Sequence, residues 1–251
     1  MSMIDKRVPN RTRGAGPHAE QRLATAGAPL ERAKFALVML HGRGAGPEDM
    51  LGLNAHLALP DIAALAPAAD GNSWWPDSFL APLAANEPGL SSGLSVVEAL
   101  LDDLAGLGFG PERVALVGFS QGACLALEAA ARLARPLHAL AALSGGLVGT
   151  GEAGGPARDD LYGRTAKRFD YDGRLTGLPV LIGCHARDPH IPLARVRESA
   201  DIFEGMGAIV DTDIIPGGGH GVVASEAAWL RTQLNGASRE RASGTTQGRT
   251  T

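Results

Sequence analysis

Apolar and polar positions follow two rhythms along the chain. Residues 35–40 (FALVML) form a short continuous apolar run that ends at the glycine-rich stretch HGRGAG. That is the pattern of a strand buried on both faces. Similar runs occupy 62–66, 113–117, 138–143, 179–184 and 208–215. Between them lie stretches with helical spacing at 48–57, 92–107, 121–134, 193–206 and 222–234. In the second of these, Leu94, Val97, Leu100, Leu101, Leu104 and Leu107 fall on one helical stripe, and Ser95 with Glu98 has the spacing of a capping box, with a start one turn earlier as the alternative. Strands that alternate with helices predict an α/β fold, with a mostly parallel, doubly wound sheet and helices on both faces. About six strands are legible, too few for a TIM barrel.

The rhythm breaks at 145–177, a Gly-rich and charged stretch carrying Tyr162, Phe169 and Tyr171. A loop of that length in a compact domain is expected to be a lid or an excursion near the site, or else a loose insertion. Residues 1–16 and 237–251 are polar and aperiodic, and both read as disordered basic tails. One domain is therefore expected over 17–236.

The chain has 251 residues, 45% of them hydrophobic and 20% charged, an ordinary globular balance. Net charge is −4, but the two tails hold seven basic and two acidic groups, which leaves the body at −9. An acidic body argues against a nucleic-acid or anionic-membrane partner. Cys124 and Cys184 are too few for a disulfide framework and form no CxxC pair. No apolar run approaches the length of a membrane span. The basic N-terminus is followed by no apolar stretch, so it does not read as a secretory signal. A cytoplasmic protein is the expectation.

The chemistry starts at Gly118-Phe119-Ser120-Gln121-Gly122, a G-x-S-x-G between the strand at 113–117 and the helix at 121–134. A sharp strand-to-helix turn holds such a serine at its apex, and the flanking glycines let neighbouring backbone pack close. The helix N-terminus favours developing negative charge there. A second match, Gly89 to Gly93, follows a turn rather than a strand and reads as a loop leading into a helix.

A serine hydroxyl needs a base, and the base needs an orienting acid. On this kind of sheet they follow in the order Ser, acid, His. His220 lies in PGGGHG just past the strand at 208–215, where glycines let an imidazole turn toward the serine. Asp188, in RDPHIP past the strand at 179–184, is the leading acid, and Asp159, Asp160, Asp170 and Asp172 are its competitors. His185, Asp188 and His190 lack a completing ligand set, so no metal is expected. The cysteines read as buried core residues. Acyl transfer also needs donors for an oxyanion. The backbone of Gln121 supplies one, and the loop at 41–46 supplies the other. That loop has neither the lysine nor the spacing of a phosphate cradle.

LHGRGA at 40–45, WWPDSF at 74–79, GFSQGA at 118–123, LSGG at 143–146, DPHIP at 188–192 and GGGH at 217–220 together resemble the phospholipase/carboxylesterase family of α/β-hydrolases. That family includes the acyl-protein thioesterases and small bacterial carboxylesterases. The resemblance covers roughly residues 20–235. It implies an α/β-hydrolase fold without a large cap domain. It implies a Ser120–Asp188–His220 triad, with oxyanion donors on the backbone of Arg43 and Gln121. It also implies a serine esterase that hydrolyses carboxylic esters or thioesters without metal or cofactor, in the manner of a carboxylesterase, lysophospholipase or thioesterase. The partner is then a small-molecule ester or thioester. The eukaryotic thioesterases carry an apolar residue at the position of Arg43, which turns the expectation away from long-chain acyl-protein substrates. Residues 147–175 are also longer than the family's usual loop.

Trp74, Trp75 and Phe79 are candidates for lining the acyl pocket, with core packing as the alternative. Arg43 either meets an anionic substrate group or is solvated. Rival readings are a non-catalytic binding protein on the same scaffold and another triad chemistry such as C–C bond hydrolysis. The sequence leaves the oligomeric state open, a homodimer included.

Overall fold

The computed structural model describes residues 9–151 and 154–235. The expectations for residues 1–8 and 236–251 lie outside the described residues. Seven strands form one sheet: β1 (Leu23–Gly27), β2 (Phe35–Leu40), β3 (Ile62–Pro67), β4 (Val114–Phe119), β5 (Ala139–Leu143), β6 (Pro179–Arg187) and β7 (Ile209–Gly218). Their spatial order is β1-β3-β2-β4-β5-β6-β7. All neighbours run parallel except β1, which pairs antiparallel with β3. Among the described residues, five α-helices cover the sheet: α1 (Pro47–Leu57), α2 (Gly89–Gly106), α3 (Gln121–Leu133), α4 (Leu193–Gly205) and α5 (Ala224–Leu234).

The period-two alternation of the strands sorts the core into two layers. Ala36, Val38 and Leu40 of β2 point to one face, where they join Val97, Leu100, Leu125, Val196 and Phe203 from α2, α3 and α4. Phe35, Leu37 and Met39 point to the other, with Met50, Leu57, Leu230 and Leu234 from α1 and α5. β2, β3 and β5 are buried on both faces, which is why they read as continuous apolar runs. Helix α3, rich in alanine, runs along the middle of the sheet with eleven of its thirteen residues buried.

Three details differ from the sequence reading. β1 was not legible: LATAG buries only Leu23 fully, and an edge strand of small residues carries little apolar signal. Helix α2 starts at Gly89, so the second G-x-S-x-G forms its first turn, and Ser95 caps nothing. Its hydroxyl instead accepts the Ala15 N–H at 2.9 Å.

That contact belongs to the third difference, since residues 9–16 are hydrogen-bonded to the body of the domain rather than a free tail, although only Thr12 among them is buried. Thr12 is buried and exchanges backbone hydrogen bonds with Gln21 and Glu20. Ser92 of α2 accepts the His18 N–H and donates to the Ala15 carbonyl. Gly16, at φ +80, passes so close that a Cβ there would sit 2.8 Å from the Ser92 Cβ. Backbone-to-serine bonds order this segment, and such bonds leave no hydrophobic periodicity to read.

The stretch between β5 and β6 is an excursion anchored by a buried charge cluster. Glu128 of α3, fully buried, accepts from Val148 N–H (2.7 Å), Lys167 Nζ (3.0 Å), Tyr171 Oη (2.8 Å) and Arg132 Nε (2.6 Å). Burial alone would raise its pKa, but Lys167 and Arg132 outweigh that and hold it low. Its stabilisation is thus present above the unfolded carboxylate value and lost as pH falls through the lower folded one.

Glu128→Gln keeps the shape and removes the charge, which leaves Lys167 buried without its counter-ion. The expected cost is about 3 kcal/mol at neutral pH, read from denaturant unfolding. A change within a few tenths of a kcal/mol would show that the cluster does not hold the excursion.

Candidate active site

The turn from β4 into α3 puts Ser120 at φ 55, ψ −118, a conformation that costs a non-glycine residue of the order of 1–3 kcal/mol. Close packing holds it there. A Cβ on Gly118 would sit 2.1 Å from the Gly122 carbonyl oxygen, and one on Gly122 would sit 2.1 Å from the Leu40 carbonyl oxygen. The Ser120 N–H is spent on the Leu143 carbonyl of β5 at 2.9 Å. The hydroxyl is left facing the carboxyl ends of the strands, where open α/β sheets place their sites.

His220 and Asp188 come to the same place from the ends of β7 and β6. His220 Nε2 lies 2.9 Å from Ser120 Oγ, and His220 Nδ1 lies 2.8 Å from Asp188 Oδ2. A carboxylate can only accept, so Nδ1 carries the proton and Nε2 is left to accept from the serine hydroxyl. The ring packs at a tilt of 45° against Phe119, centroids 5.1 Å apart, and meets His190 edge to face at 4.9 Å. Gly219, just before it, has to be glycine, because a Cβ there would lie 2.7 Å from the His185 ring.

Asp188 is 3% exposed. Its other oxygen accepts the N–H groups of His190 and Ile191 at 2.8 and 3.1 Å, and the Cys184 thiol lies 3.7 Å from Oδ2. Of the competing acids, Asp160 is engaged with Arg158. Burial, with Asp188 adding to it, pushes the Cys184 thiol up to about 12. Burial also raises Cys124 to about 12, so neither thiol ionises near neutrality.

The site opens into a cavity of about 530 Å³. Gly42, Arg43, Ser120, Gln121 and His220 share its wall, so the loop after β2 and the first residue of α3 face one space. Both side chains act as struts. Gln121 Oε1 accepts the Trp74 N–H and Nε2 donates to the Trp75 carbonyl, each at 2.9 Å. The Arg43 guanidinium donates to the carbonyls of Pro76 and Asp77. Two of its five N–H donors are thereby engaged, and the side chain ties the loop after β2 to residues 76–77 while still lining the cavity.

The three pocket aromatics separate. Trp75 and Phe79 line the cavity, together with Phe119 and Ile191. Trp74 does not: it is fully buried in the core, donating from Nε1 to the His41 carbonyl at 2.9 Å. Its ring lies 5.2 Å from both His18 and His41. Burial lowers the pKa of both histidines and keeps them neutral at physiological pH. In that form His18 Nδ1 accepts from Asp70 N–H and His41 Nε2 from Ala69 N–H, each at 3.0 Å. Their role was not legible, because nothing local ties His18 to position 74. His190, part of the DPHIP motif, lines the cavity beside His220.

The sequence profile of the phospholipase/carboxylesterase family matches residues 24–155. The chain belongs to that family. A phospholipase/carboxylesterase of Dyadobacter fermentans is 35% identical, with 89% of this chain and 100% of that one covered at a TM-score of 0.76. Esterase PE8 is 27% identical over 84% of this chain and 96% of its own, with a TM-score of 0.64. Acyl-protein thioesterase 1 of Gibberella zeae is 30% identical over 131 residues, 51% of each chain, so this family member spans about half the length of that curated relative. These likenesses also show the α/β-hydrolase fold.

Behind the histidine loop of this family member sits a further buried carboxyl. Glu226, in the first turn of α5, accepts the Val223 N–H at 2.8 Å through Oε2. Its Oε1 lies against Gly183, with no hydrogen-bond partner among the described residues. Burial, and then Asp213, push this group up to about 7 against the pull of the Val223 N–H. A carboxyl with a raised folded pKa costs nothing below its ordinary value of 4.5, where both states are protonated. The penalty grows as pH rises between the two values and is complete above the folded one. Glu226→Gln is therefore expected to stabilise by the order of 2 kcal/mol at pH 8. The gain should shrink toward nothing near pH 4.5, a trend that thermal melts across this range will show. An equal gain at both ends would mean that ionisation is not the cause.

Proposed function

We propose that this protein is a serine hydrolase of carboxylic esters, thioesters included, acting through an acyl-enzyme. The observation that carries the reading is the unbroken chain from Ser120 Oγ to His220 to Asp188, with links of 2.9 and 2.8 Å. Family membership supports it, since relatives bear the names esterase, carboxylesterase and acyl-protein thioesterase.

Ser120 Oγ attacks the ester carbonyl carbon as its proton passes to His220 Nε2. The imidazolium that forms is held by Asp188, which keeps the proton on Nδ1. The carbonyl π pair moves onto oxygen, and the backbone N–H groups of Arg43 and Gln121 stabilise that oxyanion. Collapse breaks the bond to the alcohol or thiol, which leaves with the proton from His220. Water then adds to the acyl-enzyme through the same base and releases the acid. Trp75, Phe79, Phe119 and Ile191 give the acyl group an apolar wall. A soluble ester whose acyl group fits about 530 Å³ is the expected substrate. Asp188 and the two N–H groups that fix its far oxygen hold the base in one tautomer, which favours catalysis over a binding role on the same scaffold.

Ser120→Ala is expected to lower p-nitrophenyl ester turnover by at least about a thousand-fold with little change in unfolding midpoint. A fluorophosphonate should label the parent chain at Ser120 and leave the variant unlabelled. Near-normal turnover in the variant refutes the assignment.

A further inference from the structure

The excursion between β5 and β6 reaches the acid of the site. Its middle folds into a tight reversal, with Arg158 N–H donating to the Arg164 carbonyl and Gly163 N–H to the Arg158 carbonyl, both at 2.9 Å. The reversal is held from two sides. Leu161 is fully buried, and the Arg158 guanidinium bonds Glu198 of α4 at 2.6 Å and Asp160 at 2.8 Å. Farther along, Lys167 is tied into Glu128 of α3.

At the tip of this braced reversal stands Tyr162. Its backbone is left-handed, φ 53, a region that a bulky side chain enters only at a cost. The residue is 52% exposed, so burial does not explain the cost. What it achieves is reach: the phenol donates to the Asp188 main-chain carbonyl at 2.8 Å. Burial and the nearby Asp188 and Cys184 raise the phenol pKa, so the group remains a donor. Asp188 is thus held through its carboxylate by the N–H groups of His190 and Ile191, and through its carbonyl by Tyr162.

We propose that Tyr162 is a positioning residue, and that the excursion is a strap that fixes the turn carrying Asp188 and, through it, the orientation of His220. This rests on the hydrolase reading above. Tyr162 is not among the residues that line the cavity. Its loss should therefore affect the transition state, where the His220–Asp188 alignment counts, and not ground-state binding.

The test is Tyr162→Phe, which keeps the ring and removes the donor. With p-nitrophenyl butyrate, kcat should fall roughly five-fold, the worth of one net hydrogen bond. KM should stay within about two-fold, because the strap does not line the cavity. The rate of fluorophosphonate labelling at Ser120 should fall by the same factor as kcat, in a variant that stays fully folded at the assay temperature. A parent-like kcat overturns the proposal. So does a fall in kcat that comes with partial unfolding at that temperature and a raised KM, which marks a merely structural tie. Ser120→Ala run alongside separates the two readings: if it is inactive while Tyr162→Phe is parent-like, only the strap falls. If Ser120→Ala stays active, the hydrolase reading itself fails.

Discussion

The structure depends on the contact of three backbones where β2, β4 and α3 meet. Gly118 and Gly122 let the start of α3 lie directly on the ends of the two central strands, with no room for a methyl group at either position. That closeness forces Ser120 into its strained apex, and the surrounding sheet and helix pay the strain by burying almost all of α3. A looser turn would relax the serine and lay its hydroxyl along the helix. The same contact brings the loop after β2 beside the first residue of α3, so that Arg43 and Gln121 share a wall with Ser120.

Around that point, polar side chains do structural tasks usually left to apolar packing. Gln121 and Arg43 hold the segment 73–77 by its main chain. His18 and His41 flank Trp74 and satisfy buried N–H groups at Ala69 and Asp70. Glu128, farther along α3, gathers the excursion. Irregular backbone next to a cavity cannot satisfy itself as strands and helices do, so side chains take up its donors and acceptors.

Legibility followed the physics of each element. The central strands and α3 were readable because elements buried on both faces must be apolar throughout. β1 and residues 9–16 were not, since main-chain pairing to β3 and serine hydroxyls to α2 ordered them without an apolar pattern. The second G-x-S-x-G looked like a loop because glycine and serine are poor helix formers. It is helical because Gly89 and Gly93 sit against Trp74, Trp75 and Leu125, where larger residues would clash. Trp74 and Trp75 are adjacent, chemically identical and both buried in the core, yet only Trp75 also lines the cavity.

The sequence by itself determined the α/β architecture and the local turn geometry. It also named a serine, an acid and a histidine, each at a strand end, because periodicity, glycine placement and chain order are local properties. Only the tertiary structure decided that Ser120 and His220 stand 2.9 Å apart across a separation of 100 residues. It alone turned Arg43 from a free cation into a strut and brought Tyr162 to the carbonyl of Asp188. Those outcomes depend on which strand lies beside which and on how loops pack over their ends, and no local pattern encodes such distances.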